Sequence, residues 1–339
     1  MKLQAALLLL SAIAECRPQF GGAGSSLPLA SKKELKPKLR DNAKRVMLSY
    51  GPLLMPGVDE KKPGGGFSMD RKGLGGSTTF TSKTGLCSNC TVLLTRISFH
   101  NEDGSPAKPS NGFYVHHLLA YDNSKAARVP ISSDGATGSA TQAFTDRGED
   151  SGDTETIFTT PDGKYNSGFH FRTPSLGIQY DLVNYNKTSR RVYLDLELEY
   201  LDGLIGKDAG HVMKSVQGTP KVSKSGAATT TSKTMTVTED ATIVWARGHI
   251  HAGGTEVVMT LNGKDVCTSR PTYNGAGVIT EMSICPEPIG LKKGDSFALR
   301  GSYDLTKHDL RESTDGGGHM GTASDTMVMW ALSYAFEGK

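Results

Sequence analysis

The feature that most constrains the fold is a two-residue alternation of apolar and polar side chains. It is clearest in RVYLDLELEY, over residues 191–200. Successive side chains of a β-strand point to opposite faces, so the pattern predicts a strand with one buried face. Strand-like runs also occur over residues 46–55, 91–100, 113–121 and 177–185. Their short spacing, without the helical segments of βαβ units, predicts an all-β fold.

The composition changes after residue 203. Gly, Ser, Thr and Lys dominate up to residue 233, and strand-like runs then resume until the end of the chain. We therefore predict two antiparallel β-sandwich domains of jelly-roll type in tandem. They are expected to cover residues 46–203 and 234–339, with a connector at residues 204–233.

A tight turn is predicted in the second of these regions. Asn262-Gly263 is the dipeptide that best tolerates the positive φ angles of a type I′ turn. It lies between two strand-like runs, over residues 255–261 and 265–269. These two runs are expected to pair as a β-hairpin.

The start of the chain predicts secretion. Residues 5–14 are apolar, too few to span a bilayer but right for a secretory signal, so residues 1–16 are interpreted as a signal peptide. No later run is long and apolar enough to anchor the protein in a membrane. Two Asn-x-Thr sequons, at Asn89 and Asn186, agree with a glycosylating route and an extracellular or cell-wall location.

A basic segment follows the predicted signal. The formal net charge is only +3, and the basic excess is concentrated in residues 32–45, which gives no indication of nucleic-acid binding. Residues 17–45 are interpreted either as a solvated linker or as a propeptide that a dibasic protease cuts at Lys44-Arg45.

The chain has five cysteines, which in a secreted protein suggest disulfides. Cys267 and Cys285 flank a Gly-rich region and are expected to join neighbouring strands. Cys87 and Cys90 form a Cys-x2-Cys, which fits a local disulfide or half of a zinc site. A zinc site needs two further ligands, and no second Cys-x2-Cys exists. Cys16 is left over.

The first candidate for metal binding is the pair His249 and His251. Two residues apart on a strand, both imidazoles leave the same face and can reach one ion, whereas Ile250 points the other way. Such pairs also arise by chance. A thioether from Met327 would complete a soft donor set that favours copper, although methionine is more commonly core filler. The three nearby glycines, Gly248, Gly253 and Gly254, are expected to clear space around the pair.

His116 and His117 are the second candidate. Adjacent strand residues face opposite sides, so both reach one metal only at a strand end or where the backbone twists. The alternative is one buried and one exposed histidine.

Three segments together resemble known copper proteins: residues 247–254 (RGHIHAGG), 267–273 (CTSRPTY) and 282–285 (MSIC). They resemble the copper type II monooxygenases, which include peptidylglycine α-hydroxylating monooxygenase and dopamine β-monooxygenase. They resemble still more closely the secreted stress up-regulated nodulin family of plants and fungi. This resemblance implies one or two copper ions, dioxygen, an external reductant such as ascorbate, and a role in the stress response.

The resemblance also implies roles for single residues. His249, His251 and Met327 match the ligands of the catalytic copper, and His319 is not a ligand in that pattern. Arg247 matches a residue that binds the substrate carboxylate. Its companions there are replaced by Met329 and Ala331, so a peptide with C-terminal glycine is not the expected substrate.

The same resemblance assigns His116 and His117 to a second, electron-storing copper. The third histidine of that site is replaced by Asn184, and His170 is another candidate donor that lies too early in the chain. Coupled hydroxylation needs two electrons, and each copper stores one. The replacement of a ligand by Asn184 therefore argues against the interpretation as a monooxygenase.

Three hypotheses follow. The first is a secreted copper-dependent monooxygenase-like oxidoreductase that acts on a small-molecule or extracellular substrate. The second is a non-catalytic copper-binding or redox-buffering protein. The third is a structural or carbohydrate-contacting sandwich without metal. None of them involves nucleic acid or a membrane partner.

Overall fold

The computed structural model describes residues 27–61, 73–132, 140–148, 154–216, 226–275, 277–285, 287–310 and 326–338. These residues form strands and contain no α-helix, only two short 3-10 turns at Ser82–Thr84 and Pro109–Asn111. The predicted all-β class is confirmed. No helix in these ranges has the length and apolarity that crossing a membrane requires. The predicted signal peptide and Cys16 lie outside the described residues.

The first eleven strands belong to the N-terminal two thirds of the chain. They are β1 Leu29–Leu35, β2 Lys44–Met55, β3 Gly73–Thr81, β4 Cys90–Asn101, β5 Phe113–Ala126, β6 Thr141–Gly148, β7 Thr156–Ile157, β8 Ser167–Phe171, β9 Ser175–Asn184, β10 Arg190–Asp202 and β11 Lys207–Ser215.

The other eleven strands lie in the C-terminal third. They are β12 Ala227–Thr231, β13 Met235–Thr236, β14 Ala241–Ile250, β15 Gly254–Leu261, β16 Lys264–Ser269, β17 Pro271–Tyr273, β18 Ile279–Met282, β19 Ile284–Cys285, β20 Ile289–Leu291, β21 Ser296–Asp304 and β22 Val328–Phe336.

One large sheet runs from the first part of the chain into the second. Its main path is β1-β2-β10-β4-β8-β11-β6-β5-β9-β3, and β22 joins it by pairing with both β11 and β14. A five-stranded sheet contains β12, β21, β15 and β16, with β13 also pairing with β21. The C-terminal strands β14 and β22 therefore connect structurally to the N-terminal strands through β11.

The buried apolar residues form two clusters. One takes nearly all its members from residues 27–209 and includes Phe144, Phe158, Phe169 and Phe171, whose rings pack together. The other draws almost entirely on residues 216–336. The tandem arrangement, the domain limits and the sandwich architecture remain predictions.

Two segments that the sequence predicts as linkers contain strands. β1 lies within residues 17–45, pairs with β2 and is exposed along nearly its whole length. β11 and β12 lie within the predicted connector at residues 204–233. β1 is exposed, and the buried positions of β11 hold Ala, Gly and His. Neither strand therefore shows the alternation of apolar and polar residues by which strands are recognised in a sequence.

The predicted hairpin and both predicted disulfides are present. β15 pairs with β16, and Asn262 and Gly263 have φ angles of 51° and 75° in the turn between them. Disulfides join Cys87 to Cys90 and Cys267 to Cys285. The zinc alternative for the Cys-x2-Cys is therefore not needed.

The two C-terminal sheets approach each other closely at glycines. A Cβ at Gly301 on β21 would lie 2.4 Å from a methyl of Val328 on β22. A Cβ at Gly248 on β14 would lie 2.8 Å from the Cβ of Ser269. Gly248 was expected to clear space around the histidines; instead it lets the opposite face of β14 pack against the second sheet.

We expect Gly301→Ala to lower the free energy of unfolding by about 1–3 kcal/mol, since its Cβ would overpack this contact. Gly290→Ala is the matched control, because no atom lies within 4 Å of a Cβ built at Gly290 on strand β20. Urea unfolding followed by tryptophan fluorescence compares the two. Equal losses in both variants would contradict this packing account.

Candidate metal centre

The face of β14 that carries His249 points away from the C-terminal core. Ala246 and Ile250 belong to that core, so the alternate positions Arg247 and His249 project to the other side. There they meet residues of the N-terminal half: Arg247 contacts Asp146 on β6, and His249 contacts His117 on β5. The predicted same-face pair thus lies where the two halves meet.

A β-bulge explains how the adjacent residues His116 and His117 come together. Val115 pairs with Leu182 on β9, but Asp181 pairs with His117, so His116 is an extra residue in the ladder. The Nδ1 atoms of the two histidines lie 3.0 Å apart, with the rings nearly perpendicular at 83°. The bulge supplies the backbone distortion that such a pair requires.

His117, His249 and His251 form the site. One ring nitrogen from each lies within 4.8 Å of the other two, and among the described residues these three make up the group that could hold an ion. The ring centroid of His249 lies 5.2 Å from that of His251 and 6.2 Å from that of His117. His249 and His251 are 8% and 3% exposed. The histidines predicted for two centres therefore converge on one cluster.

The cluster suits a copper ion. Imidazole is a favoured ligand of copper, zinc, iron and nickel, and three imidazoles leave positions for a further ligand. His117, His249 and His251 are thus the residues that would hold a copper ion here.

His116 belongs to a layer behind this cluster. It is not part of the three-histidine group, and its Nδ1 lies 3.3 Å from Oδ2 of Asp181 as well as close to His117. His116 thus stands between the Asp181 carboxylate and the candidate ligand His117, and such partners of a ligating histidine commonly fix its ring orientation. Asp181 escaped sequence reasoning because only the bulged pairing of β5 with β9 brings it there.

Met327 immediately precedes β22 and is held through its backbone. Its N–H donates to the Tyr303 hydroxyl oxygen at 3.0 Å, and that hydroxyl donates to its carbonyl oxygen at 2.9 Å. The ladder of β14 with β22 pairs His249 with Met329 and ends at Ile250 and Val328, one residue short of both His251 and Met327. Met327 therefore lies one residue beyond the ladder that carries His249, and its role as a ligand remains a prediction. His319 lies outside the described residues.

A buried charged network lies beside the cluster. Arg247 Nη2 donates to Asp146 Oδ2 at 2.8 Å, and His211 Nε2 lies 2.9 Å from Asp146 Oδ1. His211 Nδ1 in turn lies 3.2 Å from the Ser333 hydroxyl. Burial acts to raise the pKa of Asp146, but the charge of Arg247 and the contact with His211 outweigh it and lower that pKa to about 2.

This network changes the interpretation of Arg247. The side chain was expected to bind a substrate carboxylate, but it is 2% exposed and its guanidinium is paired with Asp146. It also lies over the Trp245 ring, 5.7 Å from the centroid. The side chain is thus withdrawn from solvent and engaged with Asp146, and its binding of a substrate carboxylate remains a prediction.

Asn184 and His170 do not join the histidines that they were expected to complement. The Asn184 amide donates to the carbonyl oxygens of Pro56 and Thr188, at 3.1 and 3.0 Å. His170 Nε2 lies 3.2 Å from the Ile205 carbonyl oxygen. Both side chains hold loops in place.

The two sequons lie at the surface. Asn89 is exposed inside the Cys87–Cys90 loop, and Asn186 is exposed in the turn between β9 and β10. Their accessibility is compatible with glycosylation, which remains a prediction.

The Asp146 ion pair makes stability depend on acid. Its pKa of about 2 lies below the value of about 3.9 for an aspartate in an unfolded chain. The unfolded state therefore binds more protons between about pH 4 and about pH 2, and stability falls as pH falls through that window.

We expect Asp146→Asn to lose about 3–5 kcal/mol of unfolding free energy at neutral pH, because Arg247 is left buried and unpaired. The difference from wild type should shrink as pH falls from about 4 to about 2. Asp202→Asn is the control. It removes the ion pair between Asp202 and Lys44, and because the Asp202 side chain is 72% exposed, this pair contributes little to stability. A pH-independent difference for Asp146→Asn would refute this account.

Comparison with known proteins gives two distant relatives. "Probable copper-dependent oxygenase M1" of Phoma sp. is 26% identical over 244 residues, covering 68% of this chain and 61% of that protein. "Probable copper-dependent oxygenase clz3" of Cochliobolus lunatus is 24% identical over 227 residues, covering 63% of this chain and 71% of that protein. The chain thus spans less than two thirds of the Phoma protein. These homologues support a copper-dependent oxygenase-like family, and the nodulin resemblance remains a prediction.

No family model matches the chain. Among solved structures, the major capsid protein P2 of bacteriophage PM2 aligns with 87% of this chain and 98% of its own. The identity is 8% and the TM-score 0.39, too low to indicate a shared fold.

Proposed function

We propose that this protein is a secreted, copper-dependent oxygenase whose copper is held by His117, His249 and His251, with Met327 as the thioether donor of the catalytic site. The observation that carries the proposal is the convergence of these three imidazoles, from β5 and from the end of β14, within 4.8 Å. Homology to two proteins named probable copper-dependent oxygenases supports the choice of copper over zinc.

Bound copper supplies one-electron redox chemistry toward dioxygen, driven by an external reductant such as ascorbate. The chain's own residues place and shield the ion. His249 lies on β14, His251 directly follows this strand, and His117 comes from β5 in the other half of the chain, so ligands from two sides would hold a bound ion. Asp181 and His116 orient His117 from behind.

A non-catalytic copper-binding protein is the second candidate, and one observation favours it. Oxygenation needs two electrons per dioxygen, which two separate copper centres would store. Here His117 lies in the group with His249 and His251, whereas Asn184 and His170 bond to backbone carbonyls elsewhere. A single centre per chain fits copper buffering at least as well as coupled turnover.

The class of substrate that we propose depends on Arg247, which lies near the histidine cluster. Since Arg247 is engaged with Asp146, the proposal includes no carboxylate-binding arginine. An extracellular or small-molecule substrate without a required terminal carboxylate is the class we propose.

Copper counting tests the centre. After loading and dialysis we expect one tightly bound copper per chain, lost in His249→Ala and weakened by at least about tenfold in His117→Ala, since that variant loses a direct ligand. His170→Ala is the matched control and should bind copper like wild type. Tight binding of a second ion that depends on His116 would instead support two centres. Wild-type protein that retains no copper would refute the proposal.

Oxygen uptake separates the two candidate functions. With copper and ascorbate, an oxygenase should consume dioxygen faster than an equal concentration of free copper, and His251→Ala should abolish the excess. Uptake no faster than free copper, in protein that binds one copper per chain, would leave the buffering function.

A further inference from the structure

We infer that Met329, which pairs directly with His249, is a second thioether donor of this centre in addition to the proposed donor Met327. The inference rests on the proposed copper site and adds a ligand to it. The sequence resemblance had put Met329 at a substrate-contacting position. It is the pairing of β14 with β22 that points to a different role.

The pairing of β14 with β22 places a methionine opposite one of the histidines. His249 pairs directly with Met329, and the ladder ends at the next pair, Ile250 and Val328, so His251 and Met327 each lie one residue beyond it. Directly opposed residues of an antiparallel pair project from the same face, with Cβ atoms about 4.5–5.5 Å apart. The Met329 thioether and the His249 imidazole therefore project side by side from one face of β14 and β22.

Burial shows that this face is not the core. On β22 the neighbours Val328 and Trp330 belong to the C-terminal hydrophobic cluster, whereas Met329 between them is only partly buried and is not a member. The methionines that do fill this core are Met235, Met259 and Met282, each at most 2% exposed. The usual explanation of methionine as core filler thus applies to those three and not to Met329.

The face of β14 that carries His249 also faces His117. Arg247, two residues before His249, reaches across to Asp146 on β6, and His117 lies beside His249. The side of β14 and β22 that carries Met329 is therefore the side that faces the histidine cluster. A thioether there has an imidazole neighbour and no apolar core to enter.

Thioether and imidazole ligands differ in the oxidation state of copper that they favour. Thioether sulfur is a soft, uncharged ligand that favours Cu(I), whereas imidazole accepts both oxidation states. A second thioether shifts the centre toward the reduced ion. Met329 should consequently contribute to Cu(I) affinity much more than to Cu(II) affinity.

Met213 provides a matched control within the same surface. It lies on β11 and pairs with Ala331, which in turn pairs with Arg247, so it shares the face but is opposed to no histidine. Like Met329 it is partly buried. Replacing it by leucine removes a thioether of similar exposure without touching the pair of Met329 and His249.

The experiment measures Cu(I) affinity anaerobically by competition with a chromophoric chelator, and sulfur ligation by X-ray absorption. It compares wild type with Met329→Leu, Met327→Leu, the double variant and Met213→Leu. We expect Met329→Leu to weaken Cu(I) binding by at least about tenfold, the lower end of what even outer-shell partners contribute. Cu(II) affinity should change little, and the copper–sulfur signal should fall by about half and vanish only in the double variant.

Met213→Leu should match wild type. If Met327→Leu alone abolishes the sulfur signal and Met329→Leu behaves like Met213→Leu, Met329 is not a ligand and the inference is overturned while the copper site stands. If wild type binds no Cu(I) at all, the proposed function itself fails. Circular dichroism of each leucine variant checks that it is folded.

Discussion

The ion pair between Asp146 and Arg247 holds the centre of this molecule together. The Arg247 side chain is buried and the Asp146 side chain is only 10% exposed, and a buried charge without its partner costs several kcal/mol. Asp146 lies opposite Leu119 on β5, two residues from His117, and Arg247 lies two residues before His249. A movement that separates these two histidines therefore also breaks the ion pair. The cluster is preorganised by electrostatics that do not require the metal.

Around that pair, each ligand is positioned by a different local device. A bulge turns His116 and His117 toward each other, the pairing of β14 with β22 sets the direction of His249, and Tyr303 fixes the backbone of Met327. Asp181 and His211 sit behind the first layer of residues. Such outer partners matter because metal affinity is sensitive to ligand orientation. The copper chemistry proposed here thus depends on several strands at once.

The sequence predicted the local features well. The alternation in residues 191–200, the Asn262-Gly263 turn and both disulfides appear as expected, because each depends on neighbours in the chain or on a short pairing. It also identified His117, His249 and His251. Their meeting in one cluster was not foreseen, since it requires the long-range pairing of β22 with β11. Asp146, Asp181 and His211 carried no motif that would distinguish them from ordinary polar strand residues.

The strand β1 has a consequence for the fate of the chain's N-terminal region. With Lys32 and Lys33 it forms one end of the large sheet, where charged side chains discourage other chains from adding a strand. Lys44 and Arg45 open the next strand, β2, and pair in register with Tyr200 and Glu199. A protease that cut there and released β1 would turn the more apolar β2 into a new, unguarded sheet edge. Trimming this protein would then do more than shorten it, because it would create a template for self-association.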